Sequence, residues 1–145
     1  MAISYDEPIT FGLRGSARSL NCSGIDFSED TARSWTTEPV AELDIQLPFG
    51  RQDLFLEIEA SPFIVPHVVA VQNVFIFMGG LFAGFCALAG HGVRKFPLNR
   101  SAITGRTTRL ALVMPTAVSP HSLNLGADMR QLGIYLTSIT FRSAA

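Results

Sequence analysis

From Ala60 to Val93 the chain contains no Asp, Glu, Lys or Arg. An uncharged stretch of this length can cross a membrane as a helix, which needs ~20 mostly apolar residues. It can also form buried strands, which read as continuous apolar runs. The near-uniform apolarity of Val74–Ala89 and the small-residue spacing of Gly80 and Gly84 suit a helical span over 68–89. Three features favour strands. Gln72 and Asn73 lie inside the run, where lipid leaves amides short of partners. Val65, Val68, Val69, Val71, Val74 and Ile76 are β-branched. Gly79-Gly80 divides two apolar segments as a turn does. The alternating sequence on both sides tips the choice toward strands over 68–78 and 81–89, covered on both faces.

The clearest alternation lies at Ala41, Leu43, Ile45 and Leu47, set against Glu42, Asp44 and Gln46. This is a strand with one wet face. Leu54, Leu56 and Ile58 repeat the pattern after Pro48-Phe-Gly50, and the pair is expected to form a hairpin or meander. Further strands are expected at 20–25, 32–37, 93–96, 107–114 and 132–141. In the last, Leu132, Ile134 and Leu136 fall out of phase with Ile139 and Phe141, which calls for a β-bulge near Thr137-Ser138. Pro115–Ala127 has loop composition. The expected fold is all-β: an antiparallel β-sandwich, jelly-roll-like, of about eight to ten short strands.

Residues 1–18 are set apart by Pro8, Gly12 and Gly15 among large apolar residues. They are expected to form an N-terminal arm that packs on its own domain or on a partner chain, with the sandwich domain occupying 19–145. No charged and then apolar leader opens the chain, so synthesis in the cytoplasm without a signal peptide is expected. The chain is 48% hydrophobic and 16% charged, with a mean hydropathy of +0.30. Such a surface suits an oligomer or a member of a larger assembly. A net charge of −1 without a basic block argues against nucleic-acid binding. Cys22 and Cys86 lie in strand-like settings where a free cysteine is usual.

Hydrolase, metalloprotease, phosphate-loop and dinucleotide motifs are absent from the sequence. His67, His91 and His121 lack metal-ligand spacing. Asp44, Glu57 and Glu59 read as the wet face of strands, so no catalytic residue, metal or cofactor is assigned. Trp35 is a candidate stacking surface for a sugar ring, with Arg33 and Glu38 beside it as hydrogen-bonding partners. His121 joins them as a candidate ligand residue. A core or edge role for Trp35 stays open. Asp128 and Arg130, two apart, form a candidate brace between a long loop and the sheet.

Several of these pieces occur together in Ser34-Trp35-Thr36, Ala41-Glu-Leu43, Asp53-Leu-Phe-Leu56, Ala60-Ser-Pro-Phe63 and Val71-Gln-Asn-Val74. Ser119-Pro120 and Asp128-Met-Arg130-Gln-Leu-Gly133-Ile complete the set. In this order they resemble the carbohydrate-binding-module-like β-sandwich domains associated with bacterial polysaccharide glycosyltransferases. The chain departs from that pattern at Thr37-Glu38-Pro39 and at Asn73-Val74. The resemblance implies a non-enzymatic sandwich that binds surface polysaccharide, a partner protein, or both. One setting for it is a head spike or fibre of a phage-like particle, such as a gene transfer agent, attaching to host capsule. There the 1–18 arm would dock on a capsid or spike protein. The alternatives are a structural capsid or tail component without a ligand, an accessory domain of a glycosyltransferase, and a small membrane protein spanning at 68–89.

Overall fold

The structure, a computed structural model, describes residues 3–49 and 53–143. Ten strands form two antiparallel sheets: β1 (Ile9–Thr10), β2 (Cys22–Ser23), β3 (Ser34–Trp35), β4 (Val40–Gln46), β5 (Leu54–Pro62), β6 (Gln72–Met78), β7 (Leu81–Leu88), β8 (Gly92–Leu98), β9 (Thr107–Val113) and β10 (Ile134–Ser143). One sheet runs β1-β10-β5-β8, with β3 also paired to β10. The other runs β2-β4-β9-β6-β7. Ala41, Leu43, Ile45, Ile76, Leu110 and Leu112 of the second sheet face Leu56, Ala60, Ile134, Leu136 and Ile139 of the first, and all are buried. The structure is thus the antiparallel β-sandwich that the alternating segments predict.

Three details of the strand assignment change. First, β4 and β5 do not form a hairpin: β4 pairs with β2 and β9, and β5 pairs with β10 and β8. Strands that face one core from opposite sheets share one apolar alternation, so pattern alone does not separate crossing from pairing. Part of the connecting segment, residues 50–52, lies outside the described residues.

Second, the uncharged run is a hairpin with one open side. β6 alternates between buried and half-buried positions, whereas β7 is an edge strand exposing Leu81, Phe82 and Phe85. Strand β6 begins at Gln72 rather than near residue 68. Residues 65–69 instead form a tight turn closed by a Val65–Val69 bridge, with His67 at a φ of 65°. Of the two amides that spoke against a membrane span, that of Gln72 has protein partners. Gln72 is fully buried; its Nε2 donates to the Phe63 carbonyl at 2.8 Å, and its Oε1 accepts from Thr116 Oγ1 at 2.8 Å. Among the described residues no helix is long and apolar enough to cross a membrane.

Third, the described part of the 1–18 segment is built into the sandwich. Strand β1 pairs with β10, and Ile9, Phe11 and Ala17 enter the same core as the strands. The described part of the segment therefore packs on its own domain. The bulge expected in the last strand is present, with the β10–β5 register shifting between Leu136 and Ser138. It leaves Thr137 Oγ1 buried without a hydrogen-bond partner among the described residues. Both cysteines are free and half-buried, and burial pushes the Cys22 thiol up to about 11.

Candidate functional site

Strand β3 is two residues long, so its placement depends on bonds beyond the ladder. Ser34 points inward, is buried, and accepts the Gly12 N–H at 2.8 Å. Alternation then turns Trp35 outward. Thr36 is buried and ties the strand to β10: its N–H donates to the Ile134 carbonyl at 2.9 Å, and its Oγ1 accepts the Ile134 N–H at 3.0 Å. The Asp26 N–H donates to the Trp35 carbonyl at 3.0 Å. These bonds hold a single outward indole at the sheet edge.

Register then sets a row of side chains across the outer face of this sheet. Trp35 lies opposite Tyr135 on β10, and Tyr135 lies opposite Ser61 on β5. The two rings stack with centroids 4.5 Å apart and planes within 13°. Phe63 meets Trp35 edgewise at 6.0 Å. The Arg33 guanidinium carbon sits 4.5 Å from the centre of the Tyr135 ring, a cation–π contact. Beyond Ser61, its Oγ is 2.7 Å from His91 Nδ1, and His91 Nε2 is 2.9 Å from Glu59 Oε2. The row therefore passes from apolar rings to a hydroxyl, an imidazole and a carboxylate. Ser61 and Glu59 lie on β5, whose backbone N–H groups serve the β10 and β8 ladders, and His91 lies in the turn just before β8. The arrangement suits hydrogen bonding to hydroxyls.

Next to Trp35, loop 25–33 carries acidic residues. The pKa of the Tyr135 hydroxyl is raised by burial first and then by the neighbouring Asp30 charge. Backbone N–H groups, that of Ala32 foremost, hold the Asp30 carboxyl below the usual carboxylate range. Arg130 fastens this loop to the 119–131 loop. It makes a two-pronged bond to Asp128, at 3.0 Å through Nε and 2.7 Å through Nη2. Its Nη1 reaches Asp26 and Glu29, each at 2.8 Å. Three carboxylates thus converge on one cation, and Asp128 first, then Glu29, raise its pKa. Among the described residues no cluster of His, Cys, Asp and Glu is arranged to hold a metal ion.

Of the four residues with ligand roles in the sequence reading, the structure brings Arg33 and Trp35 together. Glu38 lies elsewhere, on an open groove of about 540 Å³ lined with Thr37, Pro39, Val40, Met129 and Gln131. His121 sits exposed on a one-turn 3-10 helix at 121–123, where its N–H donates to the Asp128 carbonyl at 2.9 Å. Asp128 and Arg130 pair as expected, but the acids of loop 25–33 complete the cluster. Sequence reasoning did not pick out Tyr135, Ser61 or His91. Tyr135 and Ser61 had only the signal of outward phase on β10 and β5, which needs the sheet order to be read, and His91 lies in the turn before β8.

No protein-family model matches the chain, and neither does any curated protein. Comparison with solved structures does find similar folds. The first domain of family 36 carbohydrate-binding modules in a multidomain xylanase, from the hindgut metagenome of Trinervitermes trinervoides, superposes with a TM-score of 0.57. It is 9% identical, over 96% of this chain and 98% of that one. A family 35 carbohydrate-binding module from Clostridium thermocellum gives a TM-score of 0.57 at 8% identity, over 95% and 99% of the two chains. A family 6 module from Clostridium stercorarium, solved with cellobiose, gives 0.54 at 11% identity, over 99% and 98%. The chain has the β-sandwich fold of these modules over nearly its full length.

Proposed function

We propose that this protein binds polysaccharide without cleaving it, on the outer face of the β3-β10-β5 sheet. The observation that carries this reading is the half-exposed Trp35–Tyr135 stack, continuous with Arg33 on one side and Ser61, His91 and Glu59 on the other. The apolar face of a pyranose packs on an aromatic surface, while its ring hydroxyls need donors and acceptors at the rim. The row supplies both across neighbouring strands about 4.8 Å apart. That solved proteins of the same fold are carbohydrate-binding modules supports the reading. In its finer form, the chain is a spike or fibre subunit of a phage-like particle attaching to host capsule. Many copies of a weak site would then act together through avidity.

The test is retention on a panel of immobilised plant, storage and capsular polysaccharides, followed by titration of the retained polymer against variants. Trp35→Ala and Tyr135→Ala should each weaken binding roughly threefold to tenfold, as expected for loss of an aromatic contact of about 0.5–1.5 kcal/mol. Glu38→Gln should leave it unchanged. Failure of every polymer to bind, or loss on Glu38→Gln with Trp35→Ala silent, overturns this placement.

A further inference from the structure

The two sheets end in edges of very different character. An unpaired edge invites another chain, and soluble proteins blunt such edges with charge, proline or extreme shortness. Strand β8 carries Arg94, Lys95 and Pro97. Strands β1, β3 and β2 are two residues each. Strand β7 is eight residues long, Leu81–Leu88, with neither charge nor proline. On one side it pairs with β6. Among the described residues its other side hydrogen-bonds to no strand. The register shift beside Ile76 and Phe77 disturbs only its beginning, and pairing with β6 is regular from Gly84 to Leu88.

The outer face beside this edge is aromatic. Phe85 lies opposite Phe75, with centroids 4.8 Å apart, and Phe82 lies opposite Phe77 at 5.8 Å. Leu81, Phe82 and Phe85 are 59%, 61% and 47% exposed. Val113 and Ala111 on β9 extend the patch inward by lying opposite Phe75 and Phe77.

We infer that β7 is a self-association edge, pairing antiparallel with β7 of a second copy about a two-fold axis and joining two five-stranded sheets into one. Charge selects this occupant. A two-fold axis sets each edge residue near its own copy, so any charge on β7 would face its like. The absence of charge from Ala60 to Val93 removes that penalty. It equally gives a charged partner nothing to pair with. The area also fits a modest dimer. The three exposed side chains, the neighbouring phenyl groups and the strand edge would bury on the order of 500 Å² per copy, somewhat below the ~800 Å² of a standard interface. The dimer should therefore be weak and depend on concentration. This inference does not rest on the sugar-binding reading, since the Trp35 row lies on the other sheet.

The experiment is sedimentation equilibrium of the full chain from low micromolar to several hundred micromolar, with hydrogen exchange followed at both ends of that range. The mass should rise from 15.7 kDa toward twice that value. Exchange at β7 amides should slow with concentration while exchange at β8 does not. Phe85→Lys should hold the protein at monomer mass. Val93→Lys, which puts a charge at an exposed apolar position on β8, should leave the dimer intact. A monomer at every concentration, or a dimer whose β7 amides exchange at the monomer rate, overturns the proposal. The exchange arm uses the unaltered chain, so it stands even if Phe85→Lys does not fold.

Discussion

Arg130 has several charged interactions to lose at once. It is 29% exposed on its side chain and engages Asp26, Glu29 and Asp128 at once. Without it, three carboxylates would remain close together between two loops. Arg130→Met should lower stability by about 1–3 kcal/mol, read from urea unfolding at neutral pH. The pH dependence has a definite sign. Arg130 holds the Asp128 carboxyl below its ordinary range; Asp26 is also lowered, by Ser28 first and by Arg130 in addition. A carboxylate with a lowered folded pKa contributes stability that is fully present above its unfolded value of about 3.9. That contribution is lost as pH falls through the lower folded value. The gap between the native chain and Arg130→Met should therefore narrow below about pH 4. A gap that stays constant into acid would mean that Arg130 acts through packing alone. Half of this brace was legible in sequence, because Asp128 and Arg130 are near neighbours along an extended segment. The Asp26 and Glu29 half was not, because roughly a hundred residues separate the partners and only folding brings the loops together.

At the scale of elements, the first strand shows how little backbone is needed when packing is good. β1 has two residues, yet Phe11 just beyond it is 1% exposed and stacks on Phe27 with centroids 6.2 Å apart and planes within 7°. Gly12 makes the approach possible. Its φ is 84°, and a Cβ there would come within 2.4 Å of the Thr31 backbone. Phe11→Ala should cost about 3–5 kcal/mol in the same urea assay, the usual range for emptying a buried phenylalanine site. A detachable docking arm would show almost no change. The spacing of Pro8, Gly12 and Gly15 reads equally well as linker and as close-packed turn. The neighbour that distinguishes them, loop 27–31, is near in space rather than in pattern.

Across the whole molecule, the second sheet divides its outer face by chemistry. Glu42, Asp44 and Arg109 form an ion-paired polar half on β4 and β9, and the phenyl groups of β6 and β7 form the other. On the first sheet the Trp35–Tyr135 stack stands on the outer face at the opposite edge. A far-UV circular dichroism spectrum should show a single β-type minimum without the double minimum of helix. A helical spectrum would overturn the assignment of residues 72–88 to a hairpin and with it both proposed surfaces.

By itself the sequence determined the class of fold and the local shape of several segments. Alternation at 41–47 and 54–58, the Gly79-Gly80 turn and the phase slip at Thr137 act through neighbouring residues, because side chains two apart share a face and a one-residue insertion reverses it. Sheet order was decided only by tertiary structure. Pairing partners such as Trp35 with Tyr135 and Tyr135 with Ser61 are selected by long-range packing of one apolar face on another, which any strand with the right alternation can satisfy. For the same reason the uncharged run could be read as strands but not as a covered strand beside an open one. Its residues are apolar in both places, and only the position of β7 at the end of the sheet leaves Phe82 and Phe85 facing water.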